Sequence, residues 1–539
     1  MKFKAAIFDT RSIQSYIFAG NQLKTNIGAS YLVERIFEDI LLPVARKVLG
    51  EGQLDEKTWQ ECEKPDWEKQ ETAARVGYIG GGNALLLFRP DTAWEDVRGI
   101  VSGFTKKLLT ACPGLKTGAA LGEIDLDKDG RFLQEDLSLT ALVHKLKENQ
   151  NTVFPRVNPA YTGLTLSCDT NDEAADFWDE AGGRFISHEA AAKLLAGSRH
   201  RNEAAPAERE LWQKLQSVLP AEEREDFLRG FAFPAEFDAL GQRETEDYFA
   251  IVHIDGNNMG QKFSACDTLT KRKNLSMKIR QMTIEAFVSL LQTMAEEYEG
   301  YRKFLSLGHD EEGRLFLPIR PLVLGGDDMT FVCPAKVALI YAKRVMLSLK
   351  KAGIDSCGGI AMLKTAYPFF RGYELAEELC GAAKARMRQE SQDSQQGSCW
   401  LDFALLHGEQ APTLAEIRQQ EYGAVLGNMH FGPYRVDEGG KAFALDNLLL
   451  AVEALQGQEA CLPSSKMKEL RSVLAKDAAV QRQFLAQLEH LRRSGSNLSL
   501  PQVPTWQVYE ENLWHKGCTP YVDAIEMADL IVARIDMEV

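Results

Sequence analysis

The sequence lacks an excess of positive charge, and its cysteines are not spaced as metal ligands. The net charge of −15 argues against broad, sequence-independent binding to nucleic acid, because such binding depends on lysine and arginine at the phosphates. The ten cysteines are scattered without a CxxC pair, so the sequence offers no ligand set for a zinc ribbon. We therefore expect reduced, cytoplasmic thiols and no zinc.

Long apolar runs are also missing. No run reaches the roughly 20 residues that a membrane-spanning helix needs. The first residues, MKFKAAIFDTRS, lack the apolar core of a signal peptide and predict a strand. We expect a cytoplasmic protein without a membrane segment. Its 539 residues are 45% apolar, which predicts several domains of roughly 100–200 residues each.

One pattern of predicted elements occurs twice. Residues 1–125 and 246–404 each give the order β-α-β-β-α-β from their apolar periodicity. This is the order of the ferredoxin-like split βαβ unit. Residues 126–245 predict a mostly helical insertion, and 405–539 a C-terminal helical domain. The sequence therefore predicts an α+β fold with two ferredoxin-like domains.

The order of elements predicts which strands are neighbours. Right-handed crossovers give one antiparallel sheet with both helices on one face. In that layout the first and third strands of each repeat lie side by side in the middle of the sheet. Residues at the end of the first strand and the start of the third strand are then expected to meet at one edge.

A pair of aspartates stands at the tip of the predicted hairpin in the second repeat. In LVLGGDDMTF, Gly325 and Gly326 permit the positive φ of a tight turn. Asp327 and Asp328 follow at the start of the third strand. Asp255 ends the first strand, so the three carboxylates are expected to converge.

Converging carboxylates repel one another unless a cation lies between them. Mg²⁺, or Mn²⁺ in its place, suits carboxylates and substrate phosphates. Two such ions can hold the attacking and leaving oxygens in nucleotidyl transfer. The alternative is an exposed polar turn, because glycine and aspartate are common turn residues. The matching strand that ends in Asp255 favours the metal site.

Two further features are candidates for phosphate binding. The loop Gly256, Asn257 and Asn258 can direct backbone N–H groups to phosphates before the next helix, although an ordinary connecting loop explains it equally well. Lys384 can neutralise a triphosphate, or it can be a solvated helix lysine. His253 is interpreted as a buried or sheet-face residue and not as a ligand.

Several stretches resemble a known family. HIDGNNMG, LVLGGDDMTFVCP, GGIAMLKTAYPFFRGYELAEELCGAAKA and FGPYRV resemble the second palm and C-terminal part of the large, polymerase-like subunit of type III CRISPR effector complexes. DTRSIQSYIF, LKTNIGASYLVERI and YIGGGNALLLF resemble the degenerate first palm of that family. The resemblance covers nearly the whole chain in order. The GGDD hairpin alone is also similar to those of diguanylate cyclases and palm polymerases.

This resemblance implies an activity and roles for the residues of the second palm. The implied activity joins ATP into 3′–5′ cyclic oligoadenylate, a second messenger in antiviral defence. The implied metal ligands are Asp255, Ile254, Asp327 and Asp328. The implied nucleotide-binding residues are Gly256, Asn257, Asn258, Gly325, Gly326 and Lys384.

The resemblance implies a lesser role for the first palm. Its hairpin carries Gly81, Gly82 and Asn83 where the second has its aspartate pair. This palm is therefore expected to bind a nucleotide at most. The implied partners are RNA-guided effector subunits and their crRNA.

The sequence also departs from the family. It begins with the first palm and not with a histidine–aspartate nuclease domain, so no DNase activity is implied. Between the palms, LSCDTNDEAADFWDEAGGRFISHEAAAKLLAG keeps only Cys168. Three hypotheses stay open: a cyclic oligoadenylate synthetase, a cyclase of another cyclic nucleotide product, and an inert scaffold subunit. The chain can act inside an effector complex or alone.

The two palms are predicted to form an internal pseudo-dimer that holds two ATP molecules in one chain. Such an arrangement makes a bimolecular step effectively unimolecular. The alternative is a true homodimer, with the first palm as a structural support. A homodimeric site loses specific activity on dilution, whereas an intramolecular site keeps it. Assays at falling enzyme concentration and saturating ATP therefore distinguish the two.

Overall fold

The structure of the chain is a computed structural model. The structure describes residues 1–57, 70–128, 130–131, 138–150, 161–171, 173–180, 182–198, 203–243, 248–391, 397–408, 412–457 and 460–535. The chain divides into two compact units. The first contains Met1–Val218, Asn258–Ile284 and Leu322–Asp327, and the second contains Leu219–Asn257, Glu285–Pro321 and Asp328–Val539. The four-domain division from the sequence stays a prediction.

The first unit contains a five-stranded sheet. Its strands are β1 (Lys2–Arg11), β2 (Leu54–Asp55), β3 (Ala74–Gly80), β4 (Asn83–Phe88) and β5 (Lys116–Asp125). The order across the sheet is β2-β3-β4-β1-β5, and β1 runs antiparallel to both β4 and β5. The predicted adjacency of the first and third strands is confirmed. The sheet is mixed and not purely antiparallel, because the short β2 pairs in parallel with β3.

Helices cover both faces of this first sheet. They are α1 (Ile13–Phe18), α2 (Leu23–Ile36), a π-helical segment (Phe37–Leu41), α3 (Leu42–Leu49), α4 (Trp94–Ala111) and α5 (Ser138–Gln150). On one face, the ring of Phe8 in β1 contacts that of Phe104 in α4, with centroids 5.2 Å apart. On the other, Ile7 packs in a cluster with Leu142 and Leu146 of α5. The alternation of β1 side chains therefore explains why both faces are apolar.

The stretch of sequence between β5 and β9 is mainly helical in its described residues, as predicted, but it also contains a hairpin. Its further elements are β6 (Phe177–Asp179), β7 (Arg184–Ile186), α6 (His188–Gly197), α7 (Pro206–Gln216), α8 (Ala221–Gly230), β8 (Phe231–Ala232) and a 3₁₀ turn (Phe237–Leu240). Ser187 caps α6 by accepting a hydrogen bond from the backbone of Ala190. The antiparallel pair β6–β7 was not predicted.

The second sheet repeats the topology of the first and extends it. Its strands are β9 (Tyr248–Gly256), β11 (Arg320–Gly325), β12 (Asp328–Pro334), β13 (Ser356–Lys364), β14 (Trp400–Leu405) and β17 (Tyr434–Arg435). The order is β11-β12-β9-β13-β14-β17. The first strand again lies beside the third. β9 runs antiparallel to both β12 and β13, as expected for the repeated unit. The added strand β14 pairs in parallel with β13, so the extended sheet is mixed.

The remaining elements are short strands and helices. The strands are β10 (Leu315–Phe316), β15 (Gly423–Ala424) and β16 (Gly427–Asn428). The helices between β9 and β14 are α9 (Met259–Ser264), α10 (Leu269–Glu296), α11 (Tyr298–Tyr301), a 3₁₀ turn (Ala335–Val337), α12 (Ala338–Lys351) and α13 (Phe369–Ser391). The C-terminal region contains α14 (Leu414–Gln420), α15 (Leu445–Leu455), α16 (Ser464–Leu474), α17 (Ala478–Arg493), a 3₁₀ turn (Pro504–Trp506), α18 (Gln507–Asn512) and α19 (Tyr521–Leu530). It is largely helical, as predicted.

Two adjacent glycines in β13 have close neighbours that leave no room for a side chain. A Cβ at Gly358 would lie 2.8 Å from Leu401 Cδ1 on the neighbouring β14. A Cβ at Gly359 would lie 2.0 Å from the backbone oxygen of Ala376 in α13. Since real Cβ atoms never come so close to backbone, Gly359 fixes how near α13 lies to the sheet.

Gly359→Ala is therefore expected to destabilise the protein by roughly 1–3 kcal/mol, because the backbone of α13 must move away from β13. The matched control is Gly381→Ala on the exposed side of α13, where a new Cβ meets nothing within 4 Å. That change is expected to stabilise by up to about 1 kcal/mol through helix propensity. Urea midpoints of the two variants measure both effects. A Gly359→Ala protein as stable as wild type would contradict the close approach.

The C-terminal region contains a buried ionic network. His430 Nε2 lies 2.8 Å from Asp402 Oδ1, and His430 Nδ1 lies 3.0 Å from Asp523 Oδ1. Arg418 donates to the same Asp402 oxygen over 3.0 Å, and Tyr434 donates its hydroxyl to Asp523 over 2.6 Å. The network thus connects β14, α14, β17 with the chain just before it, and α19.

No helix within the described ranges is both long and apolar enough to cross a membrane.

Candidate functional site

The two aspartates at the ends of β9 and β12 face each other in the sheet. Asp255 and Asp328 are direct partners in the antiparallel pairing of these strands. Directly opposite residues have Cβ atoms about 4.5–5.5 Å apart. This part of the predicted convergence is confirmed. Like charges so placed repel each other and need a counter-charge.

Lys384 supplies a counter-charge at this edge. Its ammonium group donates a hydrogen bond to Asp255 Oδ2 and forms an ion pair with it. Burial works against the charged form of Lys384, but the bond to Asp255 outweighs it, and the pKa of Lys384 is raised. Lys384 lies on α13, which Gly359 allows close to the sheet. Lys384 is therefore held beside Asp255 by an ion pair and is not a fully solvated helix lysine, and its role in triphosphate binding stays a prediction.

His253 belongs to the same group of side chains, and sequence reasoning missed its contact. It is buried, with 4% of its surface exposed. Its Nδ1 lies 3.3 Å from Asp328 Oδ1 and 3.2 Å from Thr330 Oγ1. Burial lowers the pKa of His253 to about 4, so it is neutral at physiological pH. His253 and Asp255 are two residues apart on β9 and share a face of the sheet, a signal that was readable from the sequence.

His253 contacts Asp328, a predicted metal ligand. Replacing His253 by phenylalanine is therefore expected to reduce product formation about 10–100-fold, the usual range for a residue that orients a metal ligand. The phenylalanine ring keeps the packing against Tyr373, whose ring centroid is 5.6 Å away. It removes the nitrogen beside Asp328. We expect the Mg²⁺ concentration for half-maximal activity to rise while the melting temperature stays close to wild type. Unchanged Mg²⁺ dependence would contradict this role.

Glu377 is a further acidic group near the site that the sequence did not suggest. It precedes Lys384 by two helical turns on α13. Burial raises the pKa of Glu377, while the positive charge of Lys384 opposes the rise. The negative charge of Asp255 adds to it. The electrostatic field of the site therefore extends along α13 to Glu377.

The hairpin turn before Asp328 has the predicted positive φ at only one of its two glycines. Gly326 has φ 61°, whereas Gly325 is the last residue of β11 and does not have the positive φ expected for it. The backbone oxygen of Gly326 accepts a hydrogen bond from Thr283 over 2.7 Å. Asp327 is half-buried in the turn and directly precedes the first residue of β12.

The loop after Asp255 is more tightly bound within the protein than the sequence suggested. The backbone N–H of Asn257 donates to the oxygen of Asp355 over 2.7 Å. Its side-chain amide contacts Cys357 Sγ at 3.3 Å, and Gly256 is paired with Ser356 in the sheet. Asn258 is exposed, with φ 60°. Phosphate binding by this loop stays a prediction. Asn258 is the solvent-exposed residue of the loop.

A divalent cation fits the donor chemistry of this edge. Among the described residues, no group of three or more His, Cys, Asp or Glu side chains is close enough to hold a metal ion. Mg²⁺, however, is commonly held by one or two carboxylates, with waters and substrate phosphates completing the shell. Asp255 and Asp328 provide two such carboxylates, and the backbone oxygen of Ile254 is the predicted additional ligand. The role of Asp327 as a ligand stays a prediction.

The first sheet carries a reduced version of the same arrangement. Asn83 is the register partner of Asp9, so these residues occupy the positions of Asp328 and Asp255 in the second sheet. Sequence reasoning identified Asn83 but missed Asp9, which a comparison of AIFDT with VHIDG would have found. Gly81 and Gly82 both have positive φ. Asp9 accepts a hydrogen bond from Gln150 over 2.5 Å, so this position keeps one carboxylate of the pair.

Comparison with solved structures finds similarity over nearly the whole chain. A Csm1-Csm4 cassette in complex with cA4 has a TM-score of 0.48 and 12% identity, covering 98% of this chain and 70% of that chain. The cassette with AMPPNP gives 0.47 and 14%, covering 98% and 69%. A Csm1-Csm4 subcomplex in the type III-A CRISPR-Csm interference complex gives 0.45 and 13%, covering 98% and 70%.

These structures come from the class of complex that the sequence motifs resemble. No protein-family model matches the sequence. No curated protein matches it either.

Proposed function

We propose that the chain is a Mg²⁺-dependent nucleotidyl cyclase that joins ATP into cyclic oligoadenylate. The observation that carries the proposal is the direct pairing of Asp255 with Asp328 across the central strands, with Lys384 beside Asp255. Two carboxylates are retained opposite each other at a sheet edge despite their repulsion. A nucleotidyl-transfer site needs such an arrangement.

In the proposed reaction, the 3′-hydroxyl of one ATP gives its proton to solvent water, and its oxygen forms a bond to the α-phosphorus of another ATP while the bond from that phosphorus to the leaving pyrophosphate breaks. The same step between the two ends of the linear product closes the ring. Bound Mg²⁺ would neutralise charge on the phosphates and lower the pKa of the attacking hydroxyl. Asp255 and Asp328 would hold the ion, and His253 would orient Asp328. Lys384 would exchange its bond to Asp255 for a triphosphate oxygen once the ion compensates the carboxylate.

We further propose that this activity serves antiviral signalling in an RNA-guided effector complex, with effector subunits and crRNA as partners. The motifs quoted from both palms support this assignment. Activation by target RNA would then be exerted through partner subunits, since the acidic chain is poorly suited to bind RNA widely by itself.

One observation favours the alternative of an inert scaffold. The ion pair between Lys384 and Asp255 already compensates one carboxylate without a metal ion. A palm domain without catalytic activity could therefore keep these side chains at little cost in folding free energy. This alternative predicts a folded protein that releases no pyrophosphate under any condition.

The test is incubation of the purified chain with each NTP and Mg²⁺ or Mn²⁺, with and without candidate guide and target RNA and partner subunits. Products are identified by mass. Cyclic oligoadenylate from ATP alone supports the proposal. A cyclic product of another composition supports the second cyclase hypothesis. No product in any combination, with the partners assembled and RNA bound, supports the scaffold.

A further inference from the structure

The end of β9 is held by backbone contacts to the start of β13. Asp255 is followed by Gly256, which pairs with Ser356 in the sheet. The backbone N–H of Asn257 then donates to the backbone oxygen of Asp355 over 2.7 Å, one residue before β13 begins. Asn257 is buried, with 3% of its surface exposed. The position of Asp355 therefore helps to fix the end of the strand that carries Asp255.

Lys350 holds the side chain of Asp355. It lies at the C-terminal end of α12, and its ammonium group donates hydrogen bonds to Asp355 Oδ1 and, over 2.7 Å, to the backbone oxygen of Gly397. A Cβ at Gly397 would lie only 1.9 Å from Asp355 Oδ2, so the carboxylate packs against backbone at this point. Lys350 thus joins the end of α12 to the segment that precedes β13.

Lys350 also contacts a second carboxylate, which belongs to the segment after β17. Its Nζ lies 3.3 Å from Oδ2 of Asp437, whose side chain is 6% exposed. Asp437 Oδ1 accepts hydrogen bonds from the backbone N–H of Cys399 and from Arg435 Nε, each over 3.1 Å. Burial works against the charged form of Lys350, but its bond to Asp355 and the charge of Asp437 outweigh burial and raise the pKa of Lys350. Lys350 is therefore a cation shared between two carboxylates.

These contacts connect Lys350 with the candidate metal site, and all of them lie within the second unit. Lys350 orients Asp355, Asp355 holds Asn257, and Asn257 lies two residues after Asp255. Changes in the groups that orient metal ligands cost roughly 10–100-fold in metal affinity. An ion pair that only joined α12 to the segment after β17 would leave the carboxylate site unaffected, so the two roles can be distinguished.

We propose that Lys350 is a positioning residue for a metal ion at Asp255 and Asp328. It would act through Asp355, whose backbone oxygen holds the chain just after Asp255. This inference rests on the proposed function, because it takes the two carboxylates as metal ligands. It also gives the segment around Asp437 a part in setting the site, since Lys350 bridges Asp355 and Asp437.

Amide hydrogen exchange tests the first of these links without any need for catalysis. Lys350→Met keeps an unbranched side chain but removes the ammonium group. Exchange at the N–H of Asn257, resolved by mass spectrometry of overlapping peptides, is expected to accelerate at least about fivefold, because its acceptor is held less firmly. Lys343→Met is the matched control, since Lys343 lies on the same helix and pairs with Asp446. It is expected to leave this exchange unchanged.

Binding of Mn²⁺ tests the second link. The ion is titrated into the full-length protein without nucleotide, and free Mn²⁺ is measured by electron paramagnetic resonance. Binding that Asp255→Asn/Asp328→Asn removes is assigned to the carboxylate site. Lys350→Met is expected to weaken that binding about tenfold, the lower end of the range for groups that orient metal ligands. Lys350→Arg, which keeps a cation and hydrogen-bond donors, is expected to retain most of the affinity.

The outcomes separate this inference from the proposed function. If Asp255→Asn/Asp328→Asn binds Mn²⁺ as wild type does, the metal site and the role of Lys350 are both refuted. If that variant loses the ion while Lys350→Met, still folded by circular dichroism, keeps wild-type affinity, only the role of Lys350 is refuted. Unchanged exchange at Asn257 also refutes it. Asp355→Asn keeps the backbone oxygen, weakens the bond to Lys350 and is expected to reproduce both effects, so it decides the matter if Lys350→Met does not fold.

Discussion

The double variant Asp327→Ala/Asp328→Ala is expected to lose nucleotide-product formation by at least about a thousandfold. Asp328 is one of two carboxylates that face each other at the sheet edge, and Asp327 is its predicted companion. Without them the site would lose proposed ligands of the ion that would stabilise charge on the reacting phosphates, an effect of several kcal/mol. Each 1.36 kcal/mol corresponds to tenfold in rate. Product measured by mass in the assay that gives wild-type turnover checks this result.

Stability distinguishes this loss of chemistry from a loss of fold. Removing Asp328 relieves its repulsion with Asp255 when no cation is present. The melting temperature in EDTA is therefore expected to stay at or above the wild-type value. Asp226→Ala, which removes an exposed carboxylate from α8, serves as the control and should retain activity. Near-wild-type turnover of the double variant would refute the assignment of the site.

The sequence predicted the adjacency of the central repeat strands in both sheets because the relevant signals are local. Apolar runs, the glycine turns and the helical periodicity between them fix the order of elements, and the handedness of crossovers then fixes strand adjacency. The added strand β14 shows the limit of this reasoning. The parallel pairing of β14 with β13 depends on how the connection through α13 returns the chain to the sheet. No local sequence pattern shows the direction of that return.

The candidate site was predictable in its carboxylates but not in their partners. Asp255 and Asp328 end and begin apolar strands, so the topology alone brings them together. The contact of Lys384 with Asp255 depends on how closely α13 approaches β13, which Gly359 controls through packing. The contact of His253 with Asp328 depends on cross-strand register. The approach of α13 is a tertiary effect that sequence spacing does not encode. For His253, the spacing shows only that it shares a face with Asp255, and not its contact across the strands.

The largest stability effect is expected in the buried network around His430. Asp523 Oδ2 accepts hydrogen bonds from the backbone of Phe431 over 2.9 Å and from Tyr434 over 2.6 Å, while its Oδ1 faces His430. Asp523→Ala leaves these donors and a buried cation without this partner, at a cost of about 3–5 kcal/mol. As a control, Asp446→Ala removes an exposed ion pair with Lys343 and should cost less than about 1 kcal/mol. Urea unfolding measures both variants.

The same network is expected to make stability depend on pH. Burial and the charge of Arg418 lower the pKa of His430, but Asp523 and Asp402 outweigh them, and the net shift is upward from 6.5. Tyr422 and Tyr434, whose rings face the imidazole and its partners, have pKa values raised by burial and stay neutral. A raised pKa means that the folded state holds the proton more tightly than the unfolded state. The stabilisation is therefore full below pH 6.5 and is lost as pH rises through the folded pKa.

Unfolding by urea at a series of pH values from about 6 to about 9 should show a falling midpoint in the wild type. In Asp523→Asn, which keeps the shape of the side chain but removes one counter-charge, the pKa of His430 should fall and the slope of midpoint against pH above 6.5 should become shallower. Equal slopes in the two proteins would mean that His430 is not held as a cation between Asp402 and Asp523. His430→Gln provides the second check, because it removes the titrating group and should abolish this component of the slope whatever its effect on absolute stability.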